Sequence, residues 1–238
     1  MTSIKKLKPV THVIFDLDGL ILDTETIYTD VANLVLGRYG KSLDLETKLR
    51  MMGSRGLDMA KRLVELYQLP LTPDGYYEEV KKEYQTRMPN CQLLPGAVKL
   101  IKHLHSYKIP IAIATSSSDL TYELKTRKHQ ELLSNFHHVV CGGSDPEVKH
   151  GKPAPDIFLV CASRFEDKPK PGDCLVFEDA PNGIESALAA GMQTIMVPSV
   201  ETPKEIREKA HVVIDSLDQA PLELFGLPAM EKCSCKSR

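Results

Sequence analysis

Thr11-His12-Val13-Ile14-Phe15-Asp16-Leu17-Asp18-Gly19 is the stretch that organises the chain. Residues 11–15 are β-rich and mostly apolar on both faces, the pattern of a strand covered on both sides in a parallel sheet. The run ends on two carboxylates two residues apart. In extended backbone that spacing points Asp16 and Asp18 to the same side, and Gly19 lets the chain turn sharply away. Two like charges so close repel, so the pair needs a cation or a raised pKa to be tolerated.

Further strand-like runs follow at residues 109–115, 138–141, 174–177 and 193–197, with a short edge strand at 211–214. Residues 97–107, 119–133, 155–165 and 184–190 read as the helices between them, the last ending at Gly191 as its C-cap. Alternation of this kind predicts a doubly wound α/β core with a parallel, Rossmann-like sheet. Residues 24–92 break the alternation and read as helix alone. Ile27, Val31, Leu34 and Val35 keep helical spacing, as do Leu57, Ala60, Leu63, Val64 and Tyr67, and then Tyr77, Val80 and Tyr84. Residues 1–23 and 93–238 are therefore expected to form the core, with 24–92 an inserted α-helical cap. The insert leaves from the carboxyl end of the first strand, the edge where open α/β sheets bind ligands, so it should overhang a site.

A second carboxylate pair, Glu178-Asp179, closes the strand at 174–177. Asp16, Asp18, Glu178 and Asp179 then meet at one sheet edge, hard oxygen donors that suit Mg²⁺ with its retained waters and a phosphate. Thr115-Ser116-Ser117-Ser118 follows another strand, where small hydroxyls and free N–H groups can cradle a phosphate. Gly151-Lys152-Pro153 holds a lysine in a stiff turn, where its point charge can neutralise a phosphoryl oxygen. Each signal alone is an ordinary strand-end turn, helix cap or surface lysine. All four follow strands, so one edge collects them, and chance is a poor account of that. In the insert, Met52-Gly53-Ser54-Arg55-Gly56 is a candidate substrate loop with Arg55 as its contact; a plain helix–helix turn fits the same residues.

With these residues in place, the chain resembles the haloacid-dehalogenase superfamily of phosphotransferases over nearly its whole length. The four family motifs match Asp16-Leu17-Asp18-Gly19, Thr115, Lys152 and Glu178-Asp179, and the helical insert matches the family's small cap. The resemblance implies that Asp16 is the nucleophile and Asp18 the acid/base. It implies that Thr115 binds the phosphoryl group, with Ser116 of the same turn beside it as a substrate-binding candidate, and that Lys152 holds both the phosphoryl group and the nucleophile. Mg²⁺ would lie among Asp16, Asp18, Glu178 and Asp179. Asp18 argues for phosphoryl transfer, since the dehalogenase branch lacks that second acid. A small-molecule phosphate ester is then the expected partner, hydrolysed through an aspartyl-phosphate. Leu124-Lys125-Thr126-Arg127-Lys128-His129, Asp145-Pro146-Glu147-Val148-Lys149-His150 and Phe225-Gly226-Leu227-Pro228 are similar to runs in branches that act on pseudouridine 5′-phosphate and on glycerol 3-phosphate. The first is the expected substrate. Sugar phosphomutases share this core and cap, but carry a histidine five residues beyond the acid that matches Asp23; here that place is Tyr28. A non-catalytic binding protein is the other reading, and the intact set of acids and Lys152 argues against it.

Composition bounds the rest. A chain of 238 residues has room for one α/β domain with a modest insertion. A net charge of −2 offers no basic face, so no nucleic acid polymer is expected as partner. Lys5, Lys6 and Lys8 read as a solvated tail. No apolar run approaches the ~20 residues that span a bilayer, so no membrane partner is expected. Six cysteines without C-x-x-C spacing fit a reducing compartment, with the cytosol as expected location; Cys233 and Cys235 read as incidental tail thiols. A monomer is expected. No G-x-x-x-x-G-K-[ST], G-x-S-x-G or H-E-x-x-H pattern supports a competing chemistry.

Overall fold

In the computed structural model, residues 7–230 are described. Their strands are β1 His12–Phe15, β2 Ile111–Thr115, β3 His138–Cys141, β4 Cys174–Glu178, β5 Gln193–Met196 and β6 Val212–Val213. They form one all-parallel sheet in the order β3-β2-β1-β4-β5-β6. β1 lies at the centre, paired with β2 on one side and β4 on the other, where the strand order reverses. That is where the crevice of a doubly wound sheet opens. Alternation along β1 serves two cores. Val13 and Phe15 face one layer with Leu100, Ile113 and Phe177, whereas Ile14 faces the other with Ala112, Phe158 and Val176. Phe15 stacks on Phe177 at 5.0 Å between centroids, a contact worth roughly 1 kcal/mol beyond its buried area. It fixes β1 against β4 just below their functional ends.

Four helices fill the segment between β1 and the next core element: α1 Glu25–Gly37, α2 Leu45–Met51, α3 Gly56–Leu66 and α4 Pro73–Arg87. They bury an apolar cluster of their own, with Val31, Val35, Leu63, Tyr76 and Val80 at its centre. Helix starts follow the local chemistry: Asp44 accepts from the Thr47 N–H, and Thr72 from the Gly75 N–H. The two strands of chain leading into and out of this segment run side by side. The Asp23 N–H donates to the Gln92 carbonyl at 2.9 Å and the Leu94 N–H to the Ile21 carbonyl at 2.9 Å.

The remaining helices are α5 Ala97–Ser106, α6 Asp119–Thr126, α7 Gln130–Leu133, α8 Asp156–Ser163, α9 Pro181–Ala189 and α10 Lys204–Arg207. The single helix expected over 119–133 is thus two. The chain turns at Arg127-Lys128-His129, which lets His129 Nε2 donate to the Cys91 carbonyl at 3.0 Å and ties the corner to the chain returning from the insert. α9 begins three residues earlier than expected, on Pro181, where a missing N–H costs nothing. Among the described residues no helix is long and apolar enough to cross a membrane. Lys5, Lys6, Cys233 and Cys235 lie outside the described residues.

Candidate active site

β1 ends by presenting Asp16, and Lys152 meets it from the loop before α8. Lys152 Nζ donates to Asp16 Oδ1 at 2.6 Å and to Glu178 Oε1 at 2.7 Å, with the lysine and the glutamate fully buried. The other Asp16 oxygen accepts from the Asp18 N–H at 2.7 Å. Burial pushes the Asp16 carboxyl up to about 7 against the pull of Lys152, with Glu178 and Asp18 adding to the rise. Burial alone would drive the Lys152 ammonium down, but Asp16 and Glu178 outweigh it and keep the lysine charged. Removing one partner of such a buried pair costs about 3–5 kcal/mol, because a bare charge is left behind.

Asp18 faces a different set of groups. Its Oδ1 accepts from Thr24 Oγ1 and from the Tyr28 hydroxyl, each at 3.0 Å. Its Oδ2 accepts from Thr115 Oγ1 at 2.8 Å, from Ser117 Oγ at 3.3 Å and from Lys125 Nζ. Burial pushes this carboxyl up too, but Lys125, Thr115 and Thr24 outweigh it and hold Asp18 below the usual carboxylate range. Thr115, expected on the phosphoryl group, is therefore engaged with Asp18.

Asp16, Glu178 and Asp179 are all buried, and each offers an oxygen within 4.8 Å of the other two. Two glycines make that convergence possible. A Cβ on Gly19 would stand 2.2 Å from Asp179 Oδ2, and one on Gly183 would stand 1.6 Å from Glu178 Oε1. Burial and the neighbouring Glu178 push Asp179 well above the ordinary carboxylate value. Burial and Asp18 likewise raise Glu25 to about 7. Three acids share one lysine here, so the donor set is short of positive charge and rich in hard oxygen. That suits a small divalent cation. The Asp18 carboxylate, expected with this group, is turned towards its five donors instead.

A cavity opens above these residues, walled below by Asp16, Asp18 and the Ser116-Ser117-Ser118 turn. The helical insert and α6 supply Met59, Leu63, Tyr77, Leu120 and Leu124, an apolar upper wall, with Lys48 and Lys81 also lining it. The expected substrate loop docks on the core: Ser116 Oγ donates to the Gly53 carbonyl at 2.8 Å and Asn182 Nδ2 to the Met52 carbonyl at 2.9 Å. Ser54 and Gly56 reach the cavity. Arg55 does not line it. Its stem lies against Gly151, beside Lys152, and its Nε donates to Asp58 at 2.9 Å.

Sequence reasoning missed Lys125 and Glu25. A lysine in a helix reads as a solvated charge. Lys125 falls three residues after Tyr122, on the face of α6 that packs on the apolar core, which shows only once the helix is docked. Glu25 reads as an ordinary first-turn acid of α1.

The family model of haloacid dehalogenase-like hydrolases matches residues 13–197. A probable pseudouridine-5′-phosphatase of Drosophila melanogaster is 49% identical over 94% of this chain and 97% of its own length. (DL)-glycerol-3-phosphatase 2 of Arabidopsis thaliana is 45% identical over 93% of each chain. Among solved structures, a β-phosphoglucomutase from Clostridium difficile superposes with a TM-score of 0.74 at 24% identity, over 91% of this chain and 96% of that one, a likeness of fold. With its carboxylate-bearing strand end, its buried lysine and its acid pair in the matched region, the chain belongs to the haloacid dehalogenase-like hydrolases, as a phosphoric monoester hydrolase.

Proposed function

We propose that the protein is a Mg²⁺-dependent phosphatase that uses Asp16 as nucleophile and prefers pseudouridine 5′-phosphate. The observation that carries the chemistry is the Asp16–Lys152–Glu178 chain of buried contacts at the switch point of the sheet. Asp16 attacks phosphorus, and the bond to the leaving oxygen breaks. Asp18, an ionised carboxylate before substrate enters, takes up the proton that a monoanionic phosphate ester brings and passes it to that oxygen, so a neutral alcohol departs. Asp18 then takes a proton from the water that hydrolyses the aspartyl-phosphate. Lys152 favours the ionised form of Asp16 against the effect of burial and draws charge from the phosphoryl group. Asp16, Glu178 and Asp179 would hold Mg²⁺, which when bound neutralises phosphoryl charge. Residues 24–92 act as the cap that shuts the reaction away from bulk water.

Preference for a nucleotide rests on the upper wall of the cavity. Met59, Leu63, Tyr77, Leu120 and Leu124 offer apolar surface to a planar base, which glycerol cannot use. Tyr84 also lines the cavity, and its buried hydroxyl has no partner. A polar group of the sugar or base would satisfy it. Tyr28, and not a histidine, faces Asp18, which favours release of free phosphate over a mutase cycle. The buried thiols Cys91, Cys141, Cys161 and Cys174 are free, in keeping with the cytosol as the place of action.

Measuring kcat/KM for pseudouridine 5′-phosphate, uridine 5′-phosphate and glycerol 3-phosphate side by side tests this reading. The first should lead by tenfold or more, a difference of only about 1.4 kcal/mol. Equal or better turnover of glycerol 3-phosphate would overturn the substrate and leave the chemistry standing.

A further inference from the structure

Asp18 is gripped from two sides by residues that the phosphatase chemistry itself does not call on. From the core, Lys125 of α6 runs beneath the site with its side chain fully buried and donates to Asp18 Oδ2. The same ammonium donates to Ser117 Oγ at 2.7 Å, and Ser117 in turn donates to that same carboxylate oxygen. From α1 of the helical insert, the Tyr28 hydroxyl donates to Oδ1 at 3.0 Å. Burying a lysine is expensive, with a desolvation cost of several kcal/mol. Fold stability alone would be served as well by an apolar side chain here, because the partners of Lys125 Nζ are Asp18 and the serine beside it. Asp18 also lines the cavity, so the grip acts on a side chain that meets the substrate.

We propose that Lys125 and Tyr28 are positioning residues that fix the Asp18 carboxyl, one on each oxygen, in the orientation from which it exchanges its proton. The inference rests on Asp18 being the acid/base of the proposed reaction. Lys125 is not among the residues that line the cavity, whereas Tyr28 borders it beside Asp18. Each acts by holding Asp18 on the cavity wall, close to the leaving oxygen. Because Tyr28 belongs to the insert and Lys125 to the core, the acid is aligned when the two parts are docked as they are here.

The reaction supplies a readout that a merely structural role would not move. Proton donation matters when the leaving group is an alkoxide and matters little when it is a stabilised phenolate. Benzyl phosphate and p-nitrophenyl phosphate differ in this respect while presenting rings of similar size. kcat/KM, which reports steps up to departure of the leaving group, is measured for both esters in Lys125→Met, Lys125→Arg and Tyr28→Phe. The ratio of benzyl to p-nitrophenyl kcat/KM should fall at least about tenfold in Lys125→Met and about threefold in Tyr28→Phe, with Lys125→Arg recovering part of the loss. Should Lys125→Met fail to fold, Tyr28→Phe, which deletes one hydroxyl and keeps the ring, carries the test with Ser117→Ala. Losses equal on both esters in the variants that fold would overturn the proposal. Asp18→Asn separates it from its premise. If that variant shows no split between the esters, the acid/base reading of Asp18 fails; if it does and the others do not, only the positioning role fails.

Discussion

The two ends of the sheet bury titratable groups on opposite terms. At the amino edge, His12 opens β1 and His138 opens β3, both packed edge-on against Phe165. Each ring is satisfied where it lies: His12 Nε2 donates to Asp167 at 2.9 Å and its Nδ1 meets the Thr11 hydroxyl at 2.8 Å, while His138 Nε2 donates to the Cys161 carbonyl at 2.9 Å. At the carboxyl edge, Asp16, Glu178 and Asp179 crowd together with Lys152 as their shared cation. One edge is electrostatically closed and the other crowds three acids around one cation. Natural folds concentrate perturbed pKa values and uncompensated charge at sites that do chemistry, and here the contrast lies within one sheet, about one strand length apart.

The contrast breaks most violently at Asp16. Asp16→Asn should abolish the covalent intermediate and lower kcat by at least about a thousandfold, with a fold left intact because the amide keeps the shape of the side chain. Phosphate release and trapping of the phosphoenzyme measure both effects. Retention of more than a few per cent of turnover would remove Asp16 from its role.

Metal removal tests the deficit of positive charge directly. EDTA should stop turnover and Mg²⁺ restore it, with Ca²⁺ a poor substitute because it prefers more ligands at longer distances. Independently of activity, Mg²⁺ at about a hundredfold over its Kd adds about 2.7 kcal/mol to the folded state. For a chain of this size that raises Tm by roughly 5–10 °C. Asp179→Asn should erase the shift. Full activity in metal-free buffer, or an unchanged shift in Asp179→Asn, would contradict the assignment.

How much of this was readable beforehand follows a physical line. Asp16, Glu178 and Asp179 were legible because each strand shows as a continuous apolar run that stops at a carboxylate, and a parallel sheet sends every strand end to the same edge; Lys152 was legible from its stiff Pro-bounded turn. The same apolar runs located each strand of the sheet to within about two residues at most of its ends. Lys125 was not legible: its burial depends on which face of α6 packs, and the short helix breaks at His129 for a contact with Cys91 that lies 38 residues away in sequence. Nor was the direction of Arg55, which depends on how the 52–56 loop docks against Gly151. Local pattern fixes backbone position, while side-chain direction across a docked surface is a tertiary property.

Arg55→Ala sharpens that distinction with a smaller effect. With its stem on Gly151 and its Nε on Asp58, Arg55 steadies the loop that carries Lys152. Its loss should lower kcat/KM on pseudouridine 5′-phosphate and p-nitrophenyl phosphate alike, by about threefold. A loss confined to the nucleotide would instead put the guanidinium on the substrate.

The smallest effect is in stability against pH, where the two edges pull in opposite directions. Burial lowers His12 and His138 below the ordinary histidine value of 6.5, outweighing Asp167 in one case and the Cys161 carbonyl in the other. Asp167 is 68% exposed, so water screens its charge and it cannot keep His12 protonated. The unfolded chain thus takes up protons near 6.5 that the folded chain refuses, and this edge loses stability as pH falls. Asp16 has the reverse sign. Its carboxyl, at about 7 in the fold against an ordinary 3.8, takes up a proton that the unfolded chain does not, so the metal-free site gains stability over the same interval. Glu25 and Asp179, raised in the same way, add to that gain, so without metal the denaturant midpoint at about pH 5.5 should lie no lower than at about pH 7.5. Saturating Mg²⁺ keeps Asp16 ionised and removes the compensating gain, so the acid loss of the amino edge should appear. Replacing both histidines, His12→Gln with His138→Gln, should flatten it. A midpoint that falls equally with and without Mg²⁺ would mean that the carboxyl edge carries no such charge deficit.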